Sequence, residues 1–185
     1  MRLRFPLIFC LATLAATPAV AQLVDENLLL TMPDGYKVGF STKKNNMVMT
    51  EMVPAAETVE GWTEMVTVQI FLGTKDTSPG QFKTRMEGMW RNACANASSQ
   101  PVADAADNGY PASVWLMSCP LNAKTGKPEI TWFKAIQGND SFYVVQKAFK
   151  FEPSNEQVMT WTGYLKKVSV CDSRLPDRAC PLVLR

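Results

Sequence analysis

Twice in this chain a Ser-Xaa-Xaa-Gln tetrad opens an amphipathic run, and each time it follows a set of short alternating segments divided by turn residues. The tetrad is a capping box, in which the serine hydroxyl accepts from the backbone of the third helical residue and that residue's side chain reaches back to the cap. Ser78-Pro79-Gly80-Gln81 adds proline at the first helical position. Beyond it Phe82, Met86, Met89, Trp90 and Ala93 form an apolar stripe and Lys83, Glu87 and Arg91 the polar face, which predicts a helix as far as Cys94. Ser154-Asn155-Glu156-Gln157 opens the second helix, with Val158, Trp161, Leu165 and Val168 at heptad-like spacing.

The segments before each box read as strands. Met32-Pro33-Asp34-Gly35 is a turn by its chemistry. After it Tyr36, Val38 and Phe40 alternate with Lys37, Gly39 and Ser41, and Asn45-Asn46 supplies a two-residue hairpin turn into Met47–Val53. Pro54 ends that pair, and residues 55–63 form a loop or a single helical turn. In the third strand, Met65–Leu72, Val66, Val68 and Ile70 share one face and Thr67 and Gln69 the other. Residues 96–109 read as a polar, alanine-rich connection. Three further strands follow at 111–119, 129–137 and 141–151, with turns at 124–127 and 138–140. The order is βββα-βββα. Short links between strands imply an α+β fold: an antiparallel sheet of about six strands with two main helices packed on one or both faces. With neither linker nor repeat in view, residues 22–185 are expected to form one globular domain, ending in a tail from Cys171 with little periodicity.

Residues 1–21 have the pattern of a cleaved secretory signal peptide: Arg2 and Arg4, an apolar run from Phe5 to Ala16, and Ala19-Val20-Ala21 before Gln22. The apolar run is shorter than the roughly 20 residues of a spanning helix, and no later segment approaches that length, so the mature chain has no transmembrane segment. Cys10 leaves with the leader. The remaining Cys94, Cys119, Cys171 and Cys180 allow three pairings in an exported chain, of which Cys94–Cys119 with Cys171–Cys180 closes the shortest loops and is the expected one. No Cys-x-x-Cys is present to tune a redox pair.

Composition removes much familiar chemistry. The chain has no histidine, which excludes Ser-His-Asp and Cys-His triads, the zincin motif and Cys/His zinc fingers. Of 19 basic residues two lie in the leader, so the mature chain is neutral against its 17 acidic ones. It therefore lacks the basic excess that nucleic acid requires, and no nucleic-acid partner is expected. Neutrality conceals a division: residues 22–80 hold 8 acidic and 4 basic groups, residues 81–185 hold 9 and 13. The halves pair within the fold or polarise its surface for a charged partner.

Four residues stand out as candidates for ligand or partner binding. Glu57, Glu60 and Glu64 recur at a spacing that one helical turn would gather on one side. Trp62 sits among them beside Gly61, an aromatic in a loop where a binding rim could form. The carboxylates lack the alternating Asp/Asn and Gly of a calcium loop. Met47, Met49 and Met52 bear soft thioethers, yet strand parity splits them between faces and nothing completes a copper set. Lys124-Thr125-Gly126-Lys127 lacks the flanking residues of a phosphate loop. Asn96-Ala97-Ser98 is a formal glycosylation sequon. No catalytic residue, metal or cofactor is expected.

Met32 to Lys37 and Glu57 to Gln69 resemble stretches of uncharacterised exported bacterial proteins, and the strand–helix order over about 120 residues is similar to the α/β/α sandwich of PsbP and DcrB-type envelope proteins. That resemblance implies a binding or assembly module. The expectation is therefore a non-enzymatic binding or assembly protein of the bacterial envelope, periplasmic or secreted, whose partner is an envelope protein or an apolar ligand. The alternatives are a hydrolase using a carboxylate pair and a secreted inhibitor or effector.

Overall fold

A computed structural model describes residues 20–184. The elements run Val20–Gln22 (β1), Glu26–Leu29 (β2), Tyr36–Lys44 (β3), Met47–Pro54 (β4), Glu64–Leu72 (β5), Pro79–Ala93 (α1), Ser98–Asp107 (β6), Tyr110–Asn122 (β7), Lys127–Gln137 (β8), Ser141–Phe149 (β9), Asn155–Lys167 (α2), Ser169–Asp172 (β10), a 3-10 turn Pro176–Arg178, and Leu182–Leu184 (β11). Both capping boxes form, with Ser78 and Ser154 each accepting from the glutamine three residues on. Asn45 and Asn46 make the hairpin turn with φ of 51° and 58°. Asparagine is among the few residues that tolerate this left-handed backbone.

The main sheet has seven antiparallel strands in the order β3-β4-β5-β9-β8-β7-β6. This corrects the expected six. The additional strand, β6, falls in the stretch read as a polar connection, because it is an edge strand with almost every residue exposed and so carries no alternation. Its hairpin turn, Asn108-Gly109 with φ of 48° and 77°, was the available signal. A second correction concerns the tail: β10 pairs antiparallel with β2 in a separate two-stranded sheet. The expected leader, residues 1–21, lies outside the described residues except for Val20 and Ala21, which pair in β1 with Leu184 and Val183.

Because side chains alternate along a strand, neighbouring residues of β8 enter different cores. Trp132 packs with Val66, Val68, Phe149, Trp161 and Leu165 on the face covered by α2, whereas Phe133 packs with Trp115, Phe142, Val144 and Phe82 under α1. The helices thus lie on opposite faces of a three-layered α+β structure. Of the α1 stripe, Phe82 is buried and Met86 and Trp90 pack against the core, but Met89 is 58% exposed, since the helix leans on β7 and β8 and leaves that side uncovered. Cys94–Cys119 ties the end of α1 to β7 and Cys171–Cys180 ties β10 to the tail, with Cα separations of 6.0 and 4.9 Å, in the expected pairing.

Both sheet edges are blunted. β3 carries Lys37, Lys43 and Lys44 and a register shift at Gly39; β6 carries Pro101, Asp104 and a register shift beside Pro101. Charges, proline and bulges are what keep an exposed edge from recruiting another strand. Gly39 is required there, since an added Cβ would lie 2.7 Å from Val59 Cγ1.

Candidate functional site

β9 and β8 each place one lysine on the apolar face that α2 covers. Lys147 lies on the same face as Tyr143, Val145 and Phe149; Lys134 lies with Ile130, Trp132 and Ile136. Both are buried, Lys147 completely. A buried ammonium is tolerated only where its charge and its three donors are satisfied, and each lysine meets that condition by holding a different part of α2.

Lys147 Nζ donates to Glu64 Oε2 at 2.7 Å and to Tyr36 Oη at 2.6 Å, and Tyr36 donates to the same carboxylate oxygen at 2.8 Å. The ammonium also lies 3.7 Å from the centre of the Trp161 ring and 4.4 Å from that of Phe149, so aromatic faces complete its surroundings. Gln157, in the first turn of α2, reaches Glu64 Oε1. Burial, opposed by the neighbouring carboxylates Glu64 and Glu57, pulls the Lys147 ammonium down to about 8. Burial and the Glu64 carboxylate push the Tyr36 hydroxyl far above its ordinary range. Lys134 pairs with Asp107 and donates to the carbonyls of Leu165 and Val168 at 3.1 and 2.5 Å, filling acceptors that the last turn of a helix leaves open.

These anchors set the wall of an open cleft of about 680 Å³ between residues 29–34 and α2, lined by Leu29, Leu30, Met32, Trp161, Tyr164 and Lys167 among others. Its opposite wall is held in place too. Tyr36 N bonds to Pro33 O at 3.1 Å to close the Pro-Asp-Gly turn, with Gly35 at φ +76°, and Tyr164 Oη donates to Thr31 O at 2.9 Å. Burial pushes the Tyr164 hydroxyl up to about 12. Trp161 meets Tyr36 and Tyr164 edge-on, at 5.4 and 5.3 Å between ring centres. The cleft is therefore preformed and mainly apolar, with Asp34 and Lys167 as its charged lining. That is the usual composition of a site for an apolar or amphiphilic ligand.

The residues singled out from the sequence lie beside this cleft. Loop 55–63 contains turns and bends but no helix, and its Ala55 N bonds to Gly35 O at 2.8 Å. Glu64 belongs to the Lys147 cluster. Glu57 turns back on its own loop and accepts from the backbone and hydroxyl of Thr63; burial raises its carboxyl, but those bonds outweigh it and hold the group below its usual range. Glu60 is exposed. Trp62 is half-buried under Lys150, whose Nζ is 3.8 Å from its ring centre. Met47 and Met49 face Gln69 Nε2 while Met52 is buried on the other side, as parity requires.

Tyr36, Lys147 and Tyr164 were not singled out from the sequence, and Trp161 was read only as core. A usable signal existed for Lys147: it breaks the apolar face of a strand whose neighbours on that face are Tyr143, Val145 and Phe149. Among the described residues no helix is long and apolar enough to cross a membrane. No family model and no curated protein matches the chain. Among solved structures it is similar to the Ran-binding protein Mog1p of Saccharomyces cerevisiae, with 13% identity and a TM-score of 0.47 over 80% of this chain and 88% of that one. It is also similar to LpqN of Mycobacterium tuberculosis, involved in cell envelope biogenesis, with 13% identity and a TM-score of 0.43 over 80% and 84% of the two chains.

Proposed function

We propose that this chain is an exported, non-enzymatic binding protein of the bacterial envelope that takes an apolar or amphiphilic ligand in the cleft between residues 29–34 and α2. The observation that carries the reading is the cleft itself: about 680 Å³, lined by Leu29, Leu30, Met32, Trp161 and Tyr164, with both walls fixed by hydrogen bonds before any ligand arrives. A site prepared in this way spends little binding energy on ordering its own side chains. The two disulfides and the leader pattern support export. The carboxylates Glu57 and Glu64 are engaged by Thr63 and by Lys147 with Tyr36, an arrangement that positions structure and leaves neither group free for acid–base work. Loop 54–64, joined to the cleft's turn through Ala55, is the proposed contact surface for an envelope partner, with Trp62 and Glu60 as its contact residues and Glu57 and Glu64 shaping it.

Titrating the mature protein with dodecanoate below its micellar concentration, followed by tryptophan fluorescence, is expected to give saturable 1:1 binding. Met32→Asp or Tyr164→Ala removes apolar wall and should weaken it about 10- to 100-fold, the equivalent of one large side chain's burial. Trp62→Ala should leave dodecanoate binding and the melting temperature unchanged while weakening capture of an envelope partner. A response that does not saturate, or that Met32→Asp leaves intact, would exclude the cleft as the site.

A further inference from the structure

The β6–β7 turn, the β8–β9 turn, the loop after β5 and the 3-10 turn meet around a polar recess of about 370 Å³. Its lining includes Lys75, Asp76, Gly109, Tyr110, Asn139 and Arg178. Arg178 lies over the Tyr110 ring, Cζ 4.3 Å from its centre, and its side chain is only 24% exposed. Gly109 makes room for it: at φ +77° an added Cβ would lie 2.8 Å from the arginine Nε and 3.0 Å from Cζ. The fold has thus reserved space for a largely buried guanidinium.

The Nε of that guanidinium has no hydrogen-bond partner among the described residues, although the guanidinium acts on the Tyr110 hydroxyl and favours its ionised form against the burial that pushes it up. The four buried side-chain polar atoms that lack a partner among the described residues are Arg178 Nε, Tyr110 Oη, Trp115 Nε1 and Thr131 Oγ1; the first two meet at this recess. Among the described residues the carboxylate within 4 Å of Arg178 is Asp177, at 3.8 Å and 75% exposed, too far for a hydrogen bond. Of the nearby acids, Asp76 lines the recess itself, and the charge of buried Asp172 is favoured by Arg178 as well as by Arg174. Glu26 accepts from the backbone of Asn139, Asp140 and Ser141 and from Tyr143 Oη, at 2.6 to 3.2 Å; Asp172 and Asp140 are held by Arg174. Lys75, exposed at the rim, adds a second cation, and its own carbonyl is fixed by Gln137 Nε2 at 2.6 Å. A planar or tetrahedral oxyanion matches the guanidinium's paired N–H groups.

We infer that this recess is a second binding site, distinct from the apolar cleft, for a small molecule bearing a carboxylate or phosphate group, with Arg178 as its anchor and Lys75 at its rim. Calorimetric titration of the mature protein with succinate and with inorganic phosphate, each at constant ionic strength set by chloride, tests it. Saturable binding of either anion is expected, and whichever binds tighter identifies the source of the oxyanion. Arg178→Gln should weaken it about 10- to 100-fold, the loss of charge-assisted bonds at a buried site. Lys75→Glu changes an exposed residue, so it tests the site even where Arg178→Gln fails to fold, and should weaken binding by at least tenfold. Tyr164→Ala, in the other cleft, should have no effect. Absence of saturable binding for both anions, or binding unaltered by Lys75→Glu, overturns the inference.

Discussion

Replacing Glu64 by leucine is expected to cost the fold about 3–5 kcal/mol, because it leaves the ammonium of Lys147 buried with Tyr36 as its remaining hydrogen-bond partner. Lys147→Met should cost less. Glu64 is 21% exposed and keeps Tyr36 and Gln157 as donors, so its charge stays partly solvated when the lysine is gone. The double variant Glu64→Leu/Lys147→Met should recover much of the loss, since a buried ion pair replaced by apolar side chains of similar size is often neutral. Urea unfolding of the four proteins measures the coupling, expected at about 1–3 kcal/mol; additive single effects would mean that the pair does not act as a unit.

The same lysine gives the stability a pH signature. Lys147 titrates near 8 in the folded chain and at its ordinary 10.5 once unfolded. Between about pH 8 and 10 the unfolded state therefore holds a proton that the native state has released, and stability rises with pH. Above pH 10 the trend reverses, because burial keeps Tyr36, Tyr143 and Tyr164 protonated in the fold while the unfolded tyrosines ionise. The rise should be present in the wild type and missing from Lys147→Met, as unfolding at pH 7.5, 8.5 and 9.5 would reveal.

Lys134→Met carries the second large effect, also about 3–5 kcal/mol. It removes the donor that satisfies the carbonyls of Leu165 and Val168 and the ion pair of Asp107, leaving buried acceptors at the end of α2 without partners. Methionine matches the lysine stem in length, so packing is conserved and the polar loss is isolated. Hydrogen exchange should accelerate in the last turn of α2 more than in α1. Tyr164, Lys167 and Val168 line the apolar cleft from that same turn, so dodecanoate affinity should fall with it. Unchanged exchange at Val168 would show that the helix end is held by packing alone.

Local chemistry was legible in the sequence wherever a residue's role depends on its immediate neighbours. The two capping boxes, the Asn45-Asn46 turn, the alternation of β5 and the local disulfide pairings all follow from contacts or dihedral preferences spanning a few residues to one short loop. Edge strand β6 was lost because exposure erases the alternation by which a strand is recognised. Glu64 was found for the wrong neighbours: the expected cluster with Glu57 and Glu60 rested on helical spacing, while its partner in the fold, Lys147, is 83 residues away across adjacent strands. Part of the division of charge between the two halves resolves in that buried pair. Tertiary structure alone decided that two lysines on apolar strand faces would anchor one helix, that residues 29–34 would stand opposite it to form a cleft, and that Arg178 would be buried over Tyr110. The reason is physical: backbone propensity acts within a few residues, whereas a buried charge finds its partner only after the chain has folded back on itself.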